Sequence, residues 1–143
     1  MKVEQISIFL ENKPGGLEKV TRLLKDAGIN IRTLSMADTT DFGVLRLILN
    51  DVEKASRVLK ENGLRFSRTT VVAVEVPDRP GGLHEILAVL TKNGINVEYL
   101  YAFVERSGQN AVIIFRFDAP EAAIKVLQKN GLTVLPGSRL YAL

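Results

Sequence analysis

The chain has 143 residues, enough for one ordinary domain or two small ones. Apolar residues make up 46 % and charged residues 24 %, a balance that supports a packed core and argues against disorder. A net charge of +3 with the signs mixed lends little weight to a polyanionic partner, and the absence of cysteine excludes disulfides and thiolate metal sites. No apolar stretch approaches the ~20 residues that span a bilayer. Met1–Gln5 lacks the long apolar run of a secretory signal. A soluble, cytoplasmic protein with no membrane partner is therefore expected.

From Gln5 to Leu10 apolar and polar residues alternate, which predicts a strand. Asn12-Lys13-Pro14-Gly15-Gly16-Leu17 follows, and then a helical pattern with Leu17, Val20, Leu23, Leu24 and Ala27 on one face. Gly28 stands where a helix ends in the left-handed conformation. Ile29 to Ala37 and Gly43 to Leu49 read as two strands, and the turn Asp38-Thr39-Thr40-Asp41 makes them a hairpin. Asn50 and Glu53 have capping-box spacing ahead of a helix lined by Val52, Ala55, Val58 and Leu59, which stops at Asn62-Gly63.

The order then repeats. Pro80 stands 66 positions after Pro14, and Gly94 stands 66 after Gly28. Asp78-Arg79-Pro80-Gly81-Gly82-Leu83 repeats the first loop, and Gly94-Ile95-Asn96-Val97 repeats Gly28-Ile29-Asn30-Ile31. Leu83, Ile86, Leu87 and Leu90 line the helix that follows. By Gly131 the offset from Gly63 is 68, so two residues have been added, and the hairpin turn Glu105–Asn110 is the place that tolerates them. Asp118 and Glu121 repeat the capping-box spacing. The chain is thus an internal duplication of a β-α-β-β-α-β unit. The expected fold is α+β, with two ferredoxin-like units at 1–69 and 70–143, each an antiparallel sheet with two helices on one face.

The closing strand stays open at this level. Val71–Val76 fits the first strand of the second unit by its distance from Pro-Gly-Gly. Arg139–Ala142, however, lies as far past Gly131 as Val71–Val74 lies past Gly63. Either two short strands share the linker, or the units trade a strand.

A strand that passes through a glycine turn into a helix start leaves free N–H groups at the positive end of the helix dipole, a setting that suits a carboxylate. The bland alternative is a tight turn that only starts a helix. The Pro-Gly-Gly-Leu loop, the Gly-Ile-Asn-Ile segment and the β-α-β-β-α-β order resemble the ACT domain, a small-molecule sensing module, in two copies over nearly the whole chain. The resemblance implies a stand-alone tandem ACT protein that binds a free amino acid at an interface between units, without catalysis, cofactor or metal. It implies a homo-oligomer, a dimer, and a regulated enzyme as partner. By position it implies ligand contacts at Asn12, Pro14, Gly15, Gly16 and Leu17, then Asp78, Pro80, Gly81, Gly82 and Leu83. The second strands would add Asn30 and Ile31, then Asn96 and Val97. Leu17, Ile31, Leu83 and Val97 favour an apolar or histidine-like ligand side chain. Asn12 is neutral where Asp78 is acidic, so the two sites are not expected to be equivalent.

Other chemistry finds little foothold. His84 is the only histidine and reads as a solvated helix residue, so a metal site at that point has little support and no triad can be built around a general-base pair. No serine sits in a nucleophile-elbow sequence, and no phosphate-loop motif is present. Glu75 and Asp78 read as solvated carboxylates beside a turn, Tyr99 and Tyr101 as packing or pocket residues, and Arg46 and Arg116 as solvated or partner-facing. The rival is an RNA-binding module of the same element order, stacking bases on Phe9, Phe115 and Phe117. The basic-glycine-aromatic strand signature is absent, however, and Phe115 and Phe117 share a face expected to be core. A third reading is a ligand-free dimerisation scaffold.

Overall fold

The computed structural model describes residues 1–38 and 41–143, apart from the side chain of Asp38. Two compact units emerge: Glu4–Thr69, and Thr70–Leu143 together with Met1–Val3. They are called here the amino-terminal and carboxy-terminal units.

In the amino-terminal unit, alternation decides the faces. Strand β1 (Val3–Glu11) buries Ile6, Ile8 and Leu10 against the helices, while Phe9 and Glu11 are exposed. Helix α1 (Gly16–Asp26) buries Val20 and Leu24, and Gly28 follows it at φ 70°. Strands β2 (Ile31–Asp38) and β3 (Phe42–Leu49) pair antiparallel, with Leu34 opposite Leu47. The turn expected at Asp38–Asp41 lies largely outside the described residues. Strand β3 also pairs with β1, with Ile8 opposite Leu45. Helix α2 (Val52–Glu61) adds Ala55 and Leu59 to the same core.

Its start corrects the expected cap. The N-cap is Asp51, whose carboxylate accepts the Lys54 N–H at 3.0 Å. Asn50 instead accepts the Asn30 N–H on its side chain at 3.0 Å, and its own N–H donates to the Asn30 carbonyl at 3.2 Å. A side chain committed to a neighbouring strand cannot cap the helix, so the next polar residue does.

One strand resolves the closing-strand question. β4 (Phe66–Val76) is continuous. At its start the chain lies beside β1, where the Phe9 N–H donates to the Arg65 carbonyl at 3.0 Å. From Val72 onward it pairs with β6 (Ala111–Phe117), with Val74 opposite Ile113. The first residues of β4 fall in the amino-terminal unit and the rest in the carboxy-terminal one.

The carboxy-terminal unit repeats the plan with α3 (Gly82–Lys92), β5 (Val97–Ala102), β6 and α4 (Pro120–Lys129). Its core holds Val72, Val74, Ile86, Leu90, Phe115, Phe117 and Leu127. Phe115 and Phe117 are fully buried, their rings stacked 5.3 Å apart. The expected cap at Asp118 does not form. Pro120 occupies the first helical turn and Ala119 the N-cap, because proline presets the helical φ and has no N–H to lose. The closing strand is β7 (Val134–Leu135), paired with β4. Arg139–Ala142, the sequence match to a strand, lies instead in helix α5 (Gly137–Ala142). Pro136, which has no N–H for a ladder, separates the two elements. Arg116 is half-buried on the face opposite Phe115 and Phe117, donating to the Phe117 carbonyl at 2.9 Å and pairing with Glu98 at 3.3 Å. Among the described residues no helix is long and apolar enough to cross a membrane.

In the amino-terminal unit one cation ties three elements. Arg68 of β4 holds Glu4 of β1 through Nε at 2.9 Å and Glu53 of α2 at 2.7 Å. The hydrogen bond from Arg68, then its charge, holds the Glu53 carboxyl below its ordinary 4.5. The link therefore stabilises the fold above the unfolded carboxyl value and fades as pH falls through the lowered folded one. Arg68→Ala should lower Tm at neutral pH, and the gap to the parent should close in acid. Calorimetry across pH checks this; a gap that stays constant as the carboxyls are titrated in acid would reject the pair as the cause.

Candidate functional site

Each unit carries the same device where its first strand meets its first helix. In the amino-terminal unit the Lys13 N–H turns back to the Glu11 carbonyl at 2.9 Å, and Gly15 caps α1 at φ 92°. In the carboxy-terminal unit the Arg79 N–H turns back to the Pro77 carbonyl at 2.9 Å, and Gly81 caps α3 at φ 85°. Both caps are left-handed, a region that costs other L-residues roughly 1–2 kcal/mol. A glycine cap has no side-chain oxygen, so neither cap residue bonds a first-turn N–H with its side chain. The positive helix end is left for another acceptor.

The copies differ beyond this shared geometry. A Cβ added at Gly82 would lie 2.1 Å from the Pro77 carbonyl oxygen, whereas one at Gly16 would lie 3.6 Å from that of Glu11. The Gly82 N–H also donates to the Arg79 carbonyl at 3.0 Å, and Gly82 is buried where Gly16 is half-buried. The second loop is thus packed against its own helix start.

Its acidic groups are occupied as well. The longer hairpin after β5 brings Arg106 onto Asp78 as an ion pair. It also brings Asn110 to Glu75 at 3.2 Å and the Ser107 hydroxyl to the same carboxylate. Glu75 is half-buried and hydrogen-bonded, which corrects its reading as a merely solvated carboxylate. The two inserted residues were legible, but their partners were not.

The predicted site residues separate into groups. Asn12, Pro14, Gly15 and Leu17 are exposed around the first loop, as are Asp78, Pro80 and Gly81 around the second. Leu83, Ile31 and Val97 are partly buried and pack against the cores. Asn30 and Asn96 are exposed. Within a unit, Asn30 and Ile31 follow the far end of α1, whose eleven residues span about 16 Å. They do not meet their own loop, and Asn96 and Val97 stand in the same relation to α3. His84 is exposed on α3.

The amino-terminal unit adds something that the sequence reading missed. A cleft of about 320 Å³ opens beside Gly16, lined by Leu10, Leu64, Lys13, Lys19 and Arg65 among others. The Arg65 guanidinium lies over the exposed Phe9 ring, 5.9 Å from its centroid. A signal existed: Lys19 and Arg65 change character in the second copy, where Glu85 and Thr133 stand.

Comparisons place this geometry among known proteins. A family model described as an ACT domain pair matches residues 1–143. The crystal structure of protein BT0572 from Bacteroides thetaiotaomicron is similar, at 38 % identity and a TM-score of 0.93, covering 100 % of this chain and 98 % of that one. The ligand-free regulatory subunit of aspartate kinase from Thermus thermophilus shares the fold at 18 % identity and a TM-score of 0.62, covering 88 % of this chain and 91 % of that one. The corresponding subunit from Thermus flavus does so at 17 % identity and a TM-score of 0.56, covering 88 % and 90 %. A search of curated proteins finds no match.

The asymmetry of the loops gives an expected outcome. Gly82→Ala forces a backbone clash and should destabilise by about 1–3 kcal/mol, whereas Gly16→Ala should cost well under about 1 kcal/mol. Urea unfolding of both variants checks this, and equal losses would contradict the packing described.

Proposed function

Because this chain belongs to the family of ACT domain pairs, we propose that it is a non-catalytic regulator that binds a free amino acid. The observation that carries the reading is the glycine-capped helix start, present in both units and lacking a side-chain acceptor from its own cap. A carboxylate at that place would take charge-assisted hydrogen bonds and the favourable end of the dipole. Glycine lets the ligand approach the backbone.

Residues 1–69 and 70–143 serve as the two ACT units of this proposal. The first loop is the better binder, since Asp78 of the second is held by Arg106 and Gly82 is packed against Pro77. Asn12, Pro14, Gly15, Gly16 and Leu17 surround the ligand. Asp78, Pro80, Gly81, Gly82 and Leu83 form a weaker counterpart. Asn30, Ile31, Asn96 and Val97 lie far from their own loops, so in this reading they serve a ligand held by another copy of the chain.

Binding biases one conformation over another, and the change passes through a dimer of the chain or to a regulated enzyme. The shared fold of aspartate kinase regulatory subunits supports a chain of this kind acting on a separate catalytic partner. The RNA reading loses two of its three aromatic candidates, since Phe115 and Phe117 are fully buried.

Thermal shift against the twenty amino acids tests the proposal. A ligand at a hundredfold its Kd adds about 2.7 kcal/mol, a rise of several degrees in Tm. Gly15→Val should cut the shift well below that of the parent, read from its own unliganded Tm, which strain at the left-handed cap lowers. Flat curves for every amino acid, with RNA retained in a low-salt gel assay, would replace this reading with its rival.

A further inference from the structure

The two units are copies, so each is a control for the other at the same place. The backbone bond from Phe9 to Arg65 at 3.0 Å has its counterpart in the bond from Glu75 to Thr133 at 2.9 Å, which aligns the two frames. In the amino-terminal unit the frame borders a cleft with three cations, Lys13, Lys19 and Arg65, and one carboxylate, Glu11. Glu11 is paired with Lys13 at 2.9 Å. Lys19 and Arg65 take part in no ion pair among the described residues.

At the matching places the carboxy-terminal unit has one cation, Arg79, and two carboxylates, Glu85 and Glu75. Arg79 is bound to Glu85 at 2.9 Å. Thr133 stands where the amino-terminal unit has Arg65. The charge of the place has reversed, and the tighter packing at Gly82 accompanies the reversal.

Exposed lysines alone are ordinary surface. Here two cations with no carboxylate partner among the described residues converge on one hollow beside a helix start, and its volume of about 320 Å³ falls at the small end of ligand pockets. Leu10 and Leu64 line the same hollow and would take a short apolar stem.

We propose that this cleft takes a second negative group of the ligand, so that the amino-terminal unit selects a small dicarboxylate, with or without an amino group. The inference rests on the amino-acid reading for the first carboxylate and adds the class of the side chain. It departs from the apolar or histidine-like preference read from Leu17, Ile31, Leu83 and Val97. Three of those four, Ile31, Leu83 and Val97, are core-packing residues.

The test is calorimetric titration of the full chain with aspartate, glutamate, succinate and glutarate. Asparagine and glutamine serve as neutral isosteres. The acidic ligands should bind roughly tenfold or more tightly than their isosteres, the usual worth of a hydrogen bond to a charged group. The double variant Lys19→Glu/Arg65→Thr installs the residues of the other unit and should lose that preference, while Lys19→Arg should keep it. Circular dichroism and the unliganded Tm report folding. Equal binding of acidic and neutral amino acids, or an undiminished preference in the double variant, overturns the cleft's role and leaves the amino-acid reading standing. Binding of dicarboxylates with no amino acid bound keeps the cleft and overturns the amino-acid reading. Silence of every ligand overturns both.

Discussion

The constraint on which the rest depends is a left-handed glycine between a strand and a helix. Gly15 and Gly81 turn β1 and β4 back over the sheet so that α1 and α3 can bury Val20 and Leu24, or Ile86 and Leu90, on its face. The same backbone angle that permits this packing removes the usual capping side chain. Fold and site thus share one cause: the residue that lets the helix dock also leaves its positive end available.

Duplication kept that turn and changed what surrounds it. In the carboxy-terminal unit two added hairpin residues coincide with Arg106 on Asp78 and with Ser107 and Asn110 on Glu75. An acidic loop held by its own cation gains local order but offers less to a ligand. In the amino-terminal unit Asn12 is neutral, its N–H fixed to the Asp41 carbonyl at 2.9 Å, and the nearby charge is positive. Two copies of one backbone device therefore carry opposite electrostatics.

The aromatic residues follow the same logic of faces. Phe115 and Phe117 alternate with outward residues, and both point into the core, where their stacked rings fill volume. Phe9 falls on the other parity of its strand and stays exposed under Arg65. An element order shared with RNA-binding modules says nothing about which parity carries the rings; the packing does.

Much was legible from local pattern alone. The β-α-β-β-α-β order, the duplication, the positive-φ glycines and the buried faces all follow from periodicity and from steric limits that act within a few residues. The sequence by itself also pointed to the two loops. It missed the cap at Asp51, because the rival residue Asn50 was claimed by Asn30, twenty positions away. It left the closing strand open, because the duplicated register runs on past Pro136, which has no N–H to give a ladder. Only the tertiary structure decided that β4 serves both units, that Asp78 and Glu75 are held by a distant hairpin, and that Lys19 and Arg65 share a cleft. Those outcomes depend on which strands and helices become neighbours, and a charge written in the sequence carries no distance to its partner until the chain has folded.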